Sequence, residues 1–210
     1  MQKLDLRKEL KHLYAPSAKK VEVVDVPAFN FLMLDGAIQP GETVDTSPAF
    51  QEAFQALYGV AYTLKFASKR RAENPIDYTM MALEGLWWVD DGEFDITRMG
   101  NWRWNLMMMQ PEHITDEMFA QAVSELGGKK DLPSLERLRF ERFREGLSMQ
   151  IMHLGPYAEE MRTIDKMKAF AEQNSYAVHG KHHEIYLGDP RKTKPENLRT
   201  VLRHPIEVAS

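Results

Sequence analysis

The sequence contains no cysteine, which excludes disulfides, thiolate metal sites and a cysteine nucleophile and fits a reducing compartment. No apolar run approaches the roughly 20 residues that cross a bilayer. The opening stretch, with Lys3, Asp5, Arg7, Lys8 and Glu9, is too charged for the apolar region of a signal peptide. A cytoplasmic protein without membrane association is expected. Positive charge is not in excess either: 27 Lys and Arg stand against 31 Asp and Glu, a net charge of -4. Sequence-independent nucleic-acid binding needs a basic face to displace counterions from phosphates, so direct nucleic-acid binding is not expected. Also missing are a Gly-x-x-x-x-Gly-Lys phosphate loop, a Gly-x-Ser-x-Gly elbow and a Gly-x-Gly-x-x-Gly fingerprint. No cofactor is expected.

What the chain does have is soft and aromatic apolar surface: 13 Met, 4 Trp, 7 Tyr and 10 Phe. Most of these side chains belong in a core, but Met adapts to irregular shapes and aromatic faces stack on flat or cationic ligands. The 210 residues are read as a single domain of the α+β class. Ala28 to Leu34 reads as a strand ending at the Asp35-Gly36 turn. Ser47-Pro48 opens a helix along which Phe50, Phe54, Leu57, Tyr58, Ala61, Tyr62 and Phe66 recur at helical spacing. Tyr78 to Val89 and Asn101 to Met109 read as paired strands about Asp90-Asp91-Gly92. A helix over Thr115 to Leu126 follows. The order then repeats: a strand over Phe140 to Leu154, a helix from Gly155-Pro156, then strands over His182 to Leu187 and Leu198 to His204. Module one spans about 21–110 and module two about 139–205.

Two segments of the second module carry the most specific text. Gln150-Ile151-Met152-His153-Leu154-Gly155-Pro156-Tyr157 joins a strand to a helix start, and His182-His183-Glu184-Ile185-Tyr186-Leu187-Gly188-Asp189-Pro190 is a strand entering a turn. With Leu198 to Pro205 they resemble the GyrI-like small-molecule-binding family. The first module matches more loosely, chiefly at Leu83-Glu84-Gly85-Leu86-Trp87-Trp88. The resemblance implies duplicated β-α-β-β modules related by a pseudo-twofold axis. Helices would cover one sheet face, and a ligand cleft would lie between the modules on the other. Members of the family act as drug-sensing effector domains, as hydrolases that open the cyclopropane ring of DNA-alkylating natural products, or as inhibitors of DNA gyrase. No stretch outside the two modules is long enough for a helix-turn-helix domain, so the chain resembles the stand-alone members. The expected partner is a small molecule; a homodimer is left open, and topoisomerase binding is a rival reading.

Period-two alternation puts His182, Glu184 and Tyr186 on one strand face and His183, Ile185 and Leu187 on the other. The Ile-Leu face suits the helix-covered side, so Glu184 is expected in the cleft. There a desolvated carboxylate would bind a lipophilic cation or act as a general base on water. Glu184 and Tyr157 are the expected catalytic pair. Glu84, in a comparable place in the first module, is expected among the ligand-binding residues, or else serves as a hydrogen-bonded structural glutamate. Trp87, Trp88, Trp102, Trp104, Tyr186, Tyr62, Met109 and His153 are the remaining expected ligand-binding residues; His153 reads equally well as a satisfied core or cap histidine. His182 and His183 point to opposite faces and cannot both ligate one ion without distortion, and no His-Glu-x-x-His helix is present, so no metal site is expected.

Overall fold

Strand propensity in this chain is concentrated in two long runs, and a computed structural model, which describes residues 2–92, 94–98 and 100–209, shows both fully extended. In chain order the elements are β1 (Gln2–Leu4), α1 (Leu6–Glu9), α2 (Lys11–Tyr14), β2 (Glu22–Ala37), α3 (Pro48–Lys69), β3 (Ile76–Tyr78), β4 (Leu83–Trp88) and β5 (Arg103–Gln110). Then come α4 (Asp116–Gly127), β6 (Arg139–Leu154), α5 (Met161–Gln173), β7 (Tyr176–Val178), β8 (His182–Tyr186) and β9 (Arg199–Val208), with short 3-10 turns at Pro133–Arg137, Tyr157–Glu159 and Pro195–Asn197. Strand, long helix, strand, strand therefore occurs in both halves. The strand expected over Tyr78 to Val89 is broken between β3 and β4, and the short strands β1 and β7 carry no clear alternation in the sequence.

The strands run in the order β6-β2-β5-β4-β8-β9-β7, and β6 also pairs with β9. That last pairing, from Ser148↔Pro205 to Leu154↔Arg199, closes six antiparallel strands into a ring. Closure gives every strand an inner and an outer face. The inner face is filled. Leu13 and Tyr14 of α2 plug it, and the void they share with Phe29, Phe31, Met107, Met109 and Phe143 measures about 10 Å³, no more than a single water needs. The outer face carries the helices. On it Phe50 of α3 stacks on Trp87 (5.9 Å between centroids) and meets Trp104 edge-on at 5.4 Å, and Met167 and Ala171 of α5 cluster with Met149, Ile151 and Leu202.

The expected open cleft on the sheet face opposite the helices is not what forms. That face is the interior of a closed ring, packed with side chains. Inside it lies a buried polar network. Glu84 accepts from the Tyr14 hydroxyl at 2.6 Å and meets His183 Nε2 at 3.1 Å. Glu145 meets His183 Nδ1 at 2.9 Å and accepts from Arg203 Nη1 at 3.0 Å. Arg203 also donates to Gln150 Oε1 and, at 2.8 Å, to the Leu13 carbonyl, tying the N-terminal helix to the ring. Glu145 and Gln150 both turn inward despite their odd separation because Gly146 adopts φ +79°, which breaks the alternation and suits a residue without Cβ. Burial pushes the Glu145 pKa up, but His183 and Arg203 outweigh it and hold the group at about 2. For His183 burial lowers the pKa and the two carboxylates overcome it, raising it to about 9.

Two outcomes follow from this packing. A Cβ at Gly36 would lie 2.0 Å from Trp104 Cζ2, and the fully buried indole has no room to retreat. Gly36→Ala is expected to cost about 1–3 kcal/mol, the range for overpacking, read as a lowered thermal midpoint. Because the folded pKa of His183 lies above its unfolded value of 6.5, its stabilising contribution is complete below pH 6.5 and lost as pH rises through about 9. The stability gap between wild type and His183→Gln, measured by urea unfolding, should therefore shrink across that window.

Candidate functional site

The junction between β6 and α5 is set by Gly155 and Pro156, with Gly155 at φ +122°. His153, at the end of β6, fastens it. One ring nitrogen meets the Pro156 carbonyl at 3.1 Å and the other the Thr163 hydroxyl at 2.8 Å. Since a carbonyl only accepts, Nε2 carries the hydrogen and Nδ1 accepts from Thr163. Burial lowers the His153 pKa, in keeping with this neutral form. Both nitrogens are engaged by the protein, so His153 positions the helix start and offers no atom to a ligand.

That clamp delivers two side chains to the outer face of β8. Tyr157 stands edge-on to Tyr186 at 5.9 Å, and Glu160, the residue before α5, turns inward until 1% of it is exposed. Glu184, with 8% exposed, receives a hydrogen bond from His182 Nε2 at 3.0 Å. His182 Nδ1 in turn meets His204 Nε2 at 2.8 Å. Burial, then the neighbouring His182, pushes His204 down to about 3, so it is neutral. The assignment that satisfies the chain has His204 Nε2–H donating to His182 Nδ1 and His182 Nε2–H donating to Glu184. The partnerless buried Nδ1 of His204 is then a bare lone pair rather than a stranded donor.

Glu160 belongs to no motif in the sequence that would single it out. Neither carboxylate oxygen has a close hydrogen bond; its polar neighbours are the Thr200 hydroxyl, which favours the ionised form, and Glu184, which disfavours it. Burial, reinforced by the charge of Glu184, pushes its pKa up to about 10. Among the described residues no Lys or Arg forms an ion pair with Glu160 or Glu184. The aromatic frame is Tyr157, Tyr186 and Trp87. Trp87 Nε1 donates to the Tyr186 hydroxyl at 3.0 Å, which leaves that hydroxyl's own hydrogen free for Glu184. Gly85, the register partner of Glu184, makes room for this pair, since a Cβ there would sit 2.8 Å from Trp87 Nε1. Burial first, then Glu184, raises Tyr157 to about 12, so its hydroxyl keeps its proton at neutral pH.

The other expected site residues scatter. Glu84 lies inside the ring, across the sheet from Glu184, because its neighbour Gly85 rather than Glu84 pairs with Glu184. The two carboxylates do not share a site. Met109 is also interior, its sulfur 3.8 Å from the Tyr14 hydroxyl. Trp104 is fully buried core. Trp102 is nearly so; its indole N–H donates to the Arg98 carbonyl at 2.7 Å and its ring lies 5.0 Å from Phe94, which stacks on His182. Trp88 already has a cation, Lys181 Nζ, 3.4 Å from its ring centroid. Tyr62 is 47% exposed on α3, its ring 6.4 Å from that of Tyr58. Trp88 and Trp104 also border a separate hollow of about 520 Å³ with Asp35, Asp90, Arg103 and Arg137. Its carboxylates are already matched, Asp35 by Arg139 and Asp90 by Arg103, so it offers no unpaired acid to a cationic ligand.

Comparison with known proteins identifies the family and the fold. Residues 99–207 match the model of the GyrI-like small molecule binding domain. A crystal structure of an uncharacterized conserved protein from Listeria innocua is 37% identical, covers 97% of this chain and 100% of its own, and superposes with a TM-score of 0.87. A second Listeria innocua protein, described as a hydrolase, is 36% identical over 97% of this chain and 100% of its own, with a TM-score of 0.83. The C-terminal domain of EcmrR, 10% identical with a TM-score of 0.55 over 90% of this chain and 97% of its own, shares the fold alone. No curated protein matches. Among the described residues no helix is long and apolar enough to cross a membrane. The chain belongs to the GyrI-like small-molecule-binding domain family.

Proposed function

We propose that the chain binds flat, aromatic or cationic molecules against Glu184 and hydrolyses those that carry a strained, electrophilic cyclopropane. One observation carries this reading: Glu184 and Glu160 form a nearly buried acidic pair that meets no Lys or Arg among the described residues, at the edge of an aromatic frame. A buried charge without a partner is costly, and a cationic or polarised ligand relieves that cost. In the hydrolytic step a water oxygen forms a bond to the ring methylene as the strained carbon–carbon bond breaks. The released electron pair enters the conjugated ring as a phenolate. Glu184 takes the proton from the water, and the Tyr157 hydroxyl hydrogen-bonds the developing phenolate, which is then protonated from solvent. Strain already lowers the barrier, so positioning and one base, contributing roughly 10²–10⁴-fold, are enough.

The strand pairings support the further proposal that the two halves are one duplicated module. β2 pairs with β6 and β4 with β8 across the halves, while β2–β5 and β4–β5 are matched by β6–β9 and β8–β9. A pseudo-twofold axis relates these pairs. The Glu84 and Glu184 positions do not obey it, since one faces in and the other out.

The test compares wild type with Glu184→Gln and Tyr157→Phe, following a cyclopropanoid alkylating agent by chromatography. Ring opening should fall at least about 100-fold in Glu184→Gln, and less in Tyr157→Phe. Equal rates in wild type and Glu184→Gln would remove Glu184 from the chemistry. A ligand that wild type binds saturably and returns unchanged would replace hydrolysis by sequestration.

A further inference from the structure

We propose that Glu160, His182 and Glu184 form a binding site for one divalent transition-metal ion of the zinc class. Their Nε2 and carboxylate oxygen atoms lie within 4.8 Å of one another, and all three residues are buried. Tetrahedral coordination at about 2.0–2.2 Å per bond places ligand atoms roughly 3.3–3.6 Å apart, so a small contraction of side chains closes the shell. The inference stands on this geometry alone and does not depend on cyclopropane hydrolysis.

Three features point to an ion held within this cluster. The cluster is compact: its ligand atoms lie within 4.8 Å of one another, with 1% to 8% of the carboxylate residues exposed. Glu160 is buried without a close hydrogen bond on either oxygen, and one of those oxygens belongs to the cluster, which leaves it free to bind a metal. And His182 is already held from behind, its Nδ1 2.8 Å from His204 Nε2. When Nε2 binds an ion, both rings reverse the tautomers of the metal-free protein: the His182 hydrogen moves to Nδ1 and donates to His204 Nε2, whose own hydrogen moves to its Nδ1, giving the outer hydrogen bond that orients most metal-bound histidines. One nitrogen with two carboxylates suits Zn²⁺ or Co²⁺ better than Mg²⁺ or Ca²⁺, which prefer oxygen alone. Three protein ligands leave a coordination position for water or for a ligand atom.

The rejection of a metal from the sequence rested on His182 and His183 facing opposite ways, and they do. The third ligand comes instead from Glu160, which the His153 clamp brings over β8. In the loaded protein Glu184 serves as a ligand; in the metal-free protein it is available as a base.

The experiment titrates chelator-treated, full-length protein with Co²⁺, read by visible absorption, and with Zn²⁺, read by calorimetry. The expected result is one ion per chain with tetrahedral-type cobalt bands. Glu160→Gln and His182→Gln should lose those bands, and His204→Ala should bind about 10–100-fold more weakly. Glu160→Gln removes an unpaired buried carboxyl, and its melting curve checks that it stays folded. Absence of cobalt bands in wild type, or unchanged Zn²⁺ affinity in Glu160→Gln, overturns the proposal and leaves a proton as the only cation between the two carboxylates. Because the readout is metal binding, its failure is distinct from failure of the ring-opening assay, which is run on metal-free protein.

Discussion

Pairing of β6 with β9 turns a sheet into a ring, and every other feature of the molecule takes its position from that closure. A closed ring of six strands has no free edge and no open inner face, so whatever points inward must be satisfied inside the protein. Tyr14, Glu84, Glu145, His183 and Arg203 meet this demand by satisfying one another. The result is a core whose charges are spent internally. Any group meant for a partner from outside has to project from the other face.

On that outer face α3 and α5 cover the apolar positions, and His182, Glu184 and Tyr186 lie beside the residues that lead into α5, with Glu184 8% exposed. The same clamp that starts the helix, His153 held between Pro156 and Thr163, presses Glu160 toward Glu184. Two acids are thereby buried side by side, with an oriented histidine relay on one flank and a tyrosine–tryptophan frame on the other. The two faces treat the same residue types differently. Inside, each carboxylate has a close cationic or hydroxyl partner; outside, Glu160 has no close hydrogen bond and no Lys or Arg partner among the described residues.

Much of this was legible in the residues. Alternation along His182 to Tyr186 separates the two histidines and groups Glu184 with Tyr186, as the fold has it. The Ser47-Pro48 signal locates the start of α3 to the residue. Which face of β8 meets the helices was not legible, because Ile185 and Leu187 suit a ring interior as well as a helix-covered surface, and closure depends on a long-range pairing that local pattern does not encode. The same gap in information misplaced Glu84, whose strand reads like that of Glu184 but pairs with it one residue out of step. Glu160 was invisible for a different reason. An acidic residue ahead of a helix is ordinarily a solvated partner for the helix dipole, and only the folded junction turns it inward.

A crystal structure of the protein with a planar cationic dye decides whether ligands meet Glu184. Density is expected against Glu184, with the dye's rings against Tyr157 and Tyr186 near the start of α5. Density confined to the hollow bordered by Trp88 and Asp90, with Glu184 and Glu160 untouched, would contradict binding at Glu184.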